Sequence, residues 1–187
     1  MIEDQKMLEL FPVDFSRIVL NLDHDAINNY CIEFVKGIDN YTTYHDLETN
    51  DKWMQGLDEL RLLEEDITEA CKVWCNNTGR RFTNPCLVMW ASVYNDGKGH
   101  GAHIHRRSLV SGTYYPAGDK EHSSIQFESP WLPYGMHDNI DEKRLRKAFK
   151  PKKGDMYLWP SFVQHRVWEQ NTCPNPRVAI SFNMDDR

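Results

Sequence analysis

The sequence predicts an α+β protein whose β half is a sandwich or barrel. Two helical patterns fall before residue 80, and six or more short β-rich runs follow Pro85, separated by Gly-, Pro- and Asn-containing turns. Six Trp and eight Tyr suit a β-rich body with a lined cavity. No internal repeat, low-complexity tract or linker divides the 187 residues, which are enough to bury a core without staples. The reading is therefore one domain over 1–187. Strands and two supporting helices occupy 1–82, and the strand-rich core occupies 86–184.

Taken in order, "LELFPVDF" (8–15) and "SRIVLNL" (16–22) read as short strands, the first broken at Pro12. Asp23 is placed as the N-cap of a helix that carries Ile27, Tyr30, Cys31, Phe34 and Ile38 on one face. A second helix is expected from about Met54 to Asn77, with Leu60, Leu63, Ile67, Ala70 and Trp74 at helical spacing and Gly79 as its stop. "CLVMWASVY" (86–94) is a continuous apolar run, as a strand covered on both faces requires. Further strands are expected at 109–115, 124–128, 155–160, 165–169 and 177–183. Residues 130–153 form the one long irregular insertion.

No run of about 18 apolar residues offers a membrane span. The start, "MIEDQKMLEL", is acidic rather than basic and then apolar, which argues against a signal peptide. Five cysteines are too few and too scattered for a disulfide scaffold, so they read as reduced, buried thiols and the expected location is the cytoplasm. Net charge is −6, unevenly spread: residues 1–100 carry −9 and residues 101–187 carry +3, so an anionic ligand is expected to meet the C-terminal half. Seven of the basic residues lie between Lys143 and Lys153. That run reads most simply as a solvated helix face. Leading into the strand before His165, it would otherwise border a pocket mouth and steer an acidic or macromolecular partner. Arg106 and Arg107 read as surface charges.

Three of the eight histidines fall within "HGAHIH" (100–105). A strand ending in His-x-His points two imidazoles the same way, so His103 and His105 can face one point while Ile104 faces away. A solvated pair is the plain alternative. As a metal site the pair needs a third ligand, and His165, opening another strand sixty residues on, is the candidate. Imidazoles suit Fe(II), Zn, Ni or Cu(II) rather than Mg or Ca. His100, set apart by Gly101, is not counted among the ligands. Twelve residues past His165, Arg177 opens "RVAISFN", an alternating strand apolar on one side. A buried arginine requires an anionic partner, and a planar guanidinium matches a carboxylate.

This order of parts resembles the Fe(II)/2-oxoglutarate-dependent oxygenases over about residues 86–183. The pattern is His-x-Asp/Glu, a distal His some tens of residues later, and an Arg about ten further on. Tyr94 before a Gly-rich loop and the pair Tyr114–Tyr115 bring the chain nearest to the prolyl-hydroxylase-like branch. "LELFPVDF", "SGTYY", "GDMYLWPSFVQH" and "RVAISFN" are similar to the small oxygenases found in phage and bacterial genomes; a phage-encoded chain would work in the host cytoplasm. One departure is that His105 stands where most of the superfamily has Asp or Glu, which leaves the metal its full +2 charge.

The resemblance implies a double-stranded β-helix (jelly roll) core with the N-terminal helices packed on one sheet. It implies Fe(II) held by His103, His105 and His165, 2-oxoglutarate and O2 as co-substrates with ascorbate as a helper, and hydroxylation of a substrate, a peptidyl group being favoured, with release of succinate and CO2. The far carboxylate of 2-oxoglutarate would meet Arg177. Tyr115, Thr113 or Ser111 on one strand, and Ser181 on another, would add a hydroxyl, and Tyr94 would line the pocket. Tyr115 can equally be a core aromatic, and Trp159 and Trp168 read as core packing. Asn175 and Asn183 could hydrogen-bond near the site, but nothing in the sequence singles them out. Two rivals stand: a cupin-like three-histidine metalloenzyme that does not use 2-oxoglutarate, and a non-catalytic metal-binding jelly roll. Arg177 separates the first rival from the oxygenase.

Overall fold

The computed structural model describes residues 12–95, 97–131, 145–169 and 174–187. Two antiparallel sheets carry the fold. The larger has the order β1-β7-β4-β9-β2, built from β1 (Ser16–Val19), β2 (Pro85–Tyr94), β4 (Ser108–Tyr114), β7 (Asp155–Pro160) and β9 (Arg177–Asp186). The smaller has the order β3-β8-β5-β6, from β3 (His100–His103), β5 (Ile125–Glu128), β6 (Arg146–Phe149) and β8 (His165–Val167). From β2 to β5 the chain changes sheet at every strand, and again from β6 to β9. Helices α1 (His24–Lys36), α2 (Leu47–Gln55) and α3 (Asp58–Asn77) cover the outer face of the larger sheet.

The period-2 alternation of strands decides which side chain goes where. Met89, Val110, Met156, Val178, Ile180 and Phe182 point outward into the core shared with Ile27, Leu63, Ile67 and Trp74 of the helices. Their neighbours Tyr94, Tyr115, Tyr157, Trp159 and Ala179 point inward to a second core with Phe127 and Ile125 of the smaller sheet. The continuous apolar run at 86–94 thus serves two cores, as read from the sequence. At Gly112 an added Cβ would meet the Phe182 ring at 2.1 Å and the Tyr157 carbonyl oxygen at 2.6 Å, so the outward core fits over a bare backbone there.

Several local expectations are corrected. The helix expected from about Met54 to Asn77 is α3, which starts at Asp58; Met54 and Gln55 end a separate helix, α2, and Gly56 and Leu57 break the two. The Tyr30 hydroxyl donates to the Trp53 carbonyl at 2.9 Å, and a Cβ on Gly56 would lie 1.9 Å from that hydroxyl. The Asp46 side chain caps α2 by accepting from the Thr49 N–H at 3.0 Å, a start the sequence reading passed over. Asp23 caps α1 as expected, accepting from Ala26 N–H at 3.0 Å, and Gly79 takes φ 71 just beyond α3. Of the strand expected at 8–15, residues 1–11 lie outside the described residues and 12–15 form no regular element; the strand expected at 16–22 ends at Val19.

The basic run is not a helix face over its described part. Residues 146–149 form β6, an edge strand whose Phe149 stacks on Phe15 at 4.7 Å. β6 lies at the opposite edge of its sheet from β3, so Arg146 and Lys147 border an apolar cavity of about 330 Å³ with Phe15, Phe127 and Trp131, not the histidines. Lys150 donates to the carbonyls of Lys120 and His122, and Lys153 pairs with Asp25. Lys143 and Arg144 lie outside the described residues. Trp168 is also corrected. It is 57% exposed, because β8 ends at Val167, and its indole N–H donates to Gln126 Oε1 at 2.8 Å.

Cys31, Cys71, Cys75 and Cys86 are free thiols, and burial pushes Cys31 up to about 12. Among the described residues no helix is long and apolar enough to cross a membrane.

Candidate active site

β3 and β8 pair with His103 directly opposite His165. Gly99, just before β3, permits this approach, since a Cβ there would come within 2.8 Å of the β8 backbone at the Val167 oxygen. His105 is not in the strand. It lies two residues beyond β3, held by its N–H on the Ser161 carbonyl at 3.0 Å, so the pair converges through strand end plus loop rather than through strand alternation alone. One ring nitrogen from each of His103, His105 and His165 lies within 4.8 Å of the others. His100 lines the same cleft and stacks on His103 at 4.1 Å but stands outside the trio.

Hydrogen bonds aim the rings. His103 Nδ1 is 2.8 Å from the Gly101 carbonyl oxygen and His165 Nδ1 is 3.0 Å from that of Val163. A carbonyl only accepts, so both Nδ1 atoms carry the proton and both Nε2 atoms keep a free lone pair. Trp159 packs edge-on against His165 at 4.9 Å, and Trp90 lies 6.1 Å from His105. Burial, and then the neighbouring His103, lowers His165 to about 3 and His105 to about 4. Both rings are therefore neutral at pH 7, the form that ligates a metal.

At the other end of the cleft Arg177 is 1% exposed. Register places it beside Tyr94 and puts Ser181 opposite Thr113. Its guanidinium lies between the rings of Tyr94 and Tyr115, 5.0 Å from each centroid. Nη2 donates to the Tyr115 hydroxyl at 3.0 Å and Nε to the Ser123 carbonyl at 3.1 Å. Burial raises the pKa of both tyrosines, the Arg177 charge opposing it, so they remain neutral donors. Among the described residues Nη1 is buried with no hydrogen-bond partner, and no carboxylate forms an ion pair with Arg177. A buried cation with an idle donor is costly unless a ligand completes it.

The histidine trio, Arg177, Tyr94, Tyr115, Thr113 and Ser181 thus line one cleft. Ser111 points to the same interior but bonds Ser161 and Asn183 instead. Asn175 is spent on loop contacts, its carbonyl facing His122 and its amide donating to Asp119. Arg106 and Arg107 are exposed. Sequence reasoning passed over Trp90 and did not single out Asn183. For Asn183 a signal was present: 177, 179, 181 and 183 share one face of β9, so an Asn six residues past Arg177 had to look into the same interior.

The family model described as "Putative 2OG-Fe(II) oxygenase" matches residues 88–183. The chain belongs to that 2OG-Fe(II) oxygenase family. It is a 2-oxoglutarate-dependent dioxygenase, with the family's Fe(II), 2-oxoglutarate and O2 as cofactors. A search of curated proteins finds no match. Among solved structures the oxygenase is similar to a Pseudomonas putida prolyl-4-hydroxylase, with 16% identity over 92% of this chain and 88% of that one and a TM-score of 0.54. The carbocyclase SnoK from nogalamycin biosynthesis gives 13% identity, 92% and 79% coverage and a TM-score of 0.62. HygX from Streptomyces hygroscopicus, solved with iron bound, gives 12%, 93% and 83%, and 0.56. At these identities the likeness is one of fold.

Proposed function

We propose that His103, His105 and His165 hold Fe(II) and that Arg177 anchors the far carboxylate of 2-oxoglutarate in a hydroxylation reaction. When bound, the metal and keto acid activate O2, one oxygen atom passing to the substrate C–H and the other to succinate, with loss of CO2. The chain's own part is to bind, orient and exclude water. The unprotonated Nε2 atoms of His103 and His165, and the approach of the three rings, support the metal assignment. The observation that carries the co-substrate assignment is the idle Nη1 of Arg177. Tyr115 adds a hydroxyl to that carboxylate, Tyr94 and Tyr115 hold the guanidinium flat, and Thr113 and Ser181 border it. A three-histidine enzyme that does not use 2-oxoglutarate would have no use for this buried cation.

The alternation of successive strands between the two sheets supports a double-stranded β-helix (jelly roll), with the helices as part of one domain. Four free thiols support a cytoplasmic location. The resemblance to prolyl hydroxylases supports a peptidyl substrate. The test is substrate-free turnover: iron, ascorbate, oxygen and 2-oxoglutarate should yield succinate, and Arg177→Met should abolish it at ordinary co-substrate concentrations. Succinate release that does not depend on Arg177 would refute the anchor.

A further inference from the structure

We infer that Asn183 sets the tautomer of His105 and thereby decides whether the third nitrogen is available to the metal. This rests on the three-histidine reading above. His103 and His165 each have a backbone carbonyl at Nδ1, so their tautomer is fixed by the chain. His105 has none. Its Nδ1 instead faces the side-chain amide of Asn183 at 3.2 Å, and an amide donates from one end and accepts at the other.

Behind that amide lies a short chain of reversible partners. Asn183 is 2.7 Å from the Ser111 hydroxyl, which is 2.8 Å from the Ser161 hydroxyl, where either oxygen can donate. Ser111 is 0% and Ser161 1% exposed. The Ser161 carbonyl also holds the His105 backbone, so ring and network belong to one unit. This unit satisfies its hydrogen bonds in two settings.

In the first, Nδ2–H donates to His105 Nδ1, the Ser111 hydroxyl donates to Oδ1, and Ser161 donates to Ser111. His105 then carries its proton on Nε2, pointing at the bare Nε2 of His165 3.3 Å away. A protonated Nε2 cannot ligate. In the second setting the amide is turned over. Oδ1 accepts from His105 Nδ1–H, Nδ2 donates to Ser111, and Ser111 donates to Ser161. The proton has left Nε2 and one has arrived at Nδ1, with no net change. Three bare Nε2 atoms now face one point. An Asp or Glu at position 105 would coordinate as an anion with no tautomer to set, so an Asn183-type partner is needed by this chain's histidine in particular.

The experiment uses the full chain with ¹⁵N-labelled histidine, stripped by chelator and then loaded with Zn(II). His103 and His165 should show Nδ1–H throughout, while His105 should move from Nε2–H to Nδ1–H on loading. Co(II) titration adds the variants. Asn183→Leu should bind roughly 10- to 100-fold more weakly, the usual cost of losing a partner of a ligating histidine. Asn183→Asp, which can only accept, should restore affinity to wild type or better and show Nδ1–H before metal is added. His105→Ala is the control. Nδ1–H on His105 before loading, or wild-type affinity in Asn183→Leu where His105→Ala has lost it, overturns the inference and leaves the three-histidine reading standing. Wild-type affinity in His105→Ala overturns that reading itself. Should Asn183→Leu fail to fold, the spectra of the unmutated chain decide.

Discussion

Arg177→Met separates the proposed co-substrate anchor from the fold that holds it. Methionine fills much of the slot between the Tyr94 and Tyr115 rings while removing the charge and the idle Nη1. Without ligand, two effects oppose one another. The Tyr115 hydroxyl and the Ser123 carbonyl each lose a charged donor, at about 1.5–3 kcal/mol apiece, while a buried cation lacking an ion partner is relieved, which offsets several kcal/mol. Stability of the ligand-free protein should therefore move by less than about 2 kcal/mol. With 2-oxoglutarate present nothing compensates. Loss of a charged, hydrogen-bonded pair costs about 2–4 kcal/mol, or roughly 30- to 900-fold in Kd. Calorimetric titration of 2-oxoglutarate into Zn(II)-loaded protein reads the affinity. Thermal unfolding with and without 2-oxoglutarate reads the linkage, and the ligand-induced rise in Tm should vanish. Unchanged affinity in Arg177→Met would refute the reasoning, and so would a large loss of ligand-free stability with the ligand-induced rise intact.

Two further outcomes follow from the packing. Burial holds His105 to about 4 and His165 to about 3, below the ordinary value near 6.5, so the folded state binds fewer protons than the unfolded chain between those limits. Metal-free protein should lose stability as pH falls from about 6.5 to about 4, and Zn(II) should move that loss to lower pH; a flat urea midpoint across the window, or none of the Zn(II) effect, would contradict this. Gly112→Ala should destabilise by about 1–3 kcal/mol through the Phe182 ring and the Tyr157 carbonyl, with metal stoichiometry of the folded fraction unchanged; a Tm within one or two degrees of wild type would count against the fit described.

How much of this was legible depended on the range of the contacts involved. Side-chain alternation along β2, β4 and β9 is local, and it correctly put Tyr115 with Thr113 and Arg177 with Ser181 on the interior face. The spacing of His103, His105 and His165 let the sequence group them, but His105 reaches the other two through the loop after β3 rather than through strand alternation. The break between α2 and α3 was not, since it depends on the Tyr30 hydroxyl arriving from another helix. The edge strand β6 was hidden for a similar reason. Its basic residues suggest a solvated helix, and it is the pairing with β5 and the packing of Phe149 on Phe15, both distant in sequence, that fix it as a strand. Asn183 lay in plain view on the right face, yet its role depends on the loop placement of His105 and on the buried pair Ser111 and Ser161, which no spacing rule supplies.

Iron binding by four alanine variants tests the metal centre most directly. Anaerobic Fe(II) titration of the wild type should give one ion per chain. His103→Ala, His105→Ala and His165→Ala should each lose most of that affinity, His100→Ala should keep it, and His105→Asp should retain iron by supplying a carboxylate in place of the third imidazole. Full iron retention by His105→Ala together with loss in His100→Ala would show that the stacked ring of His100, not His105, completes the site.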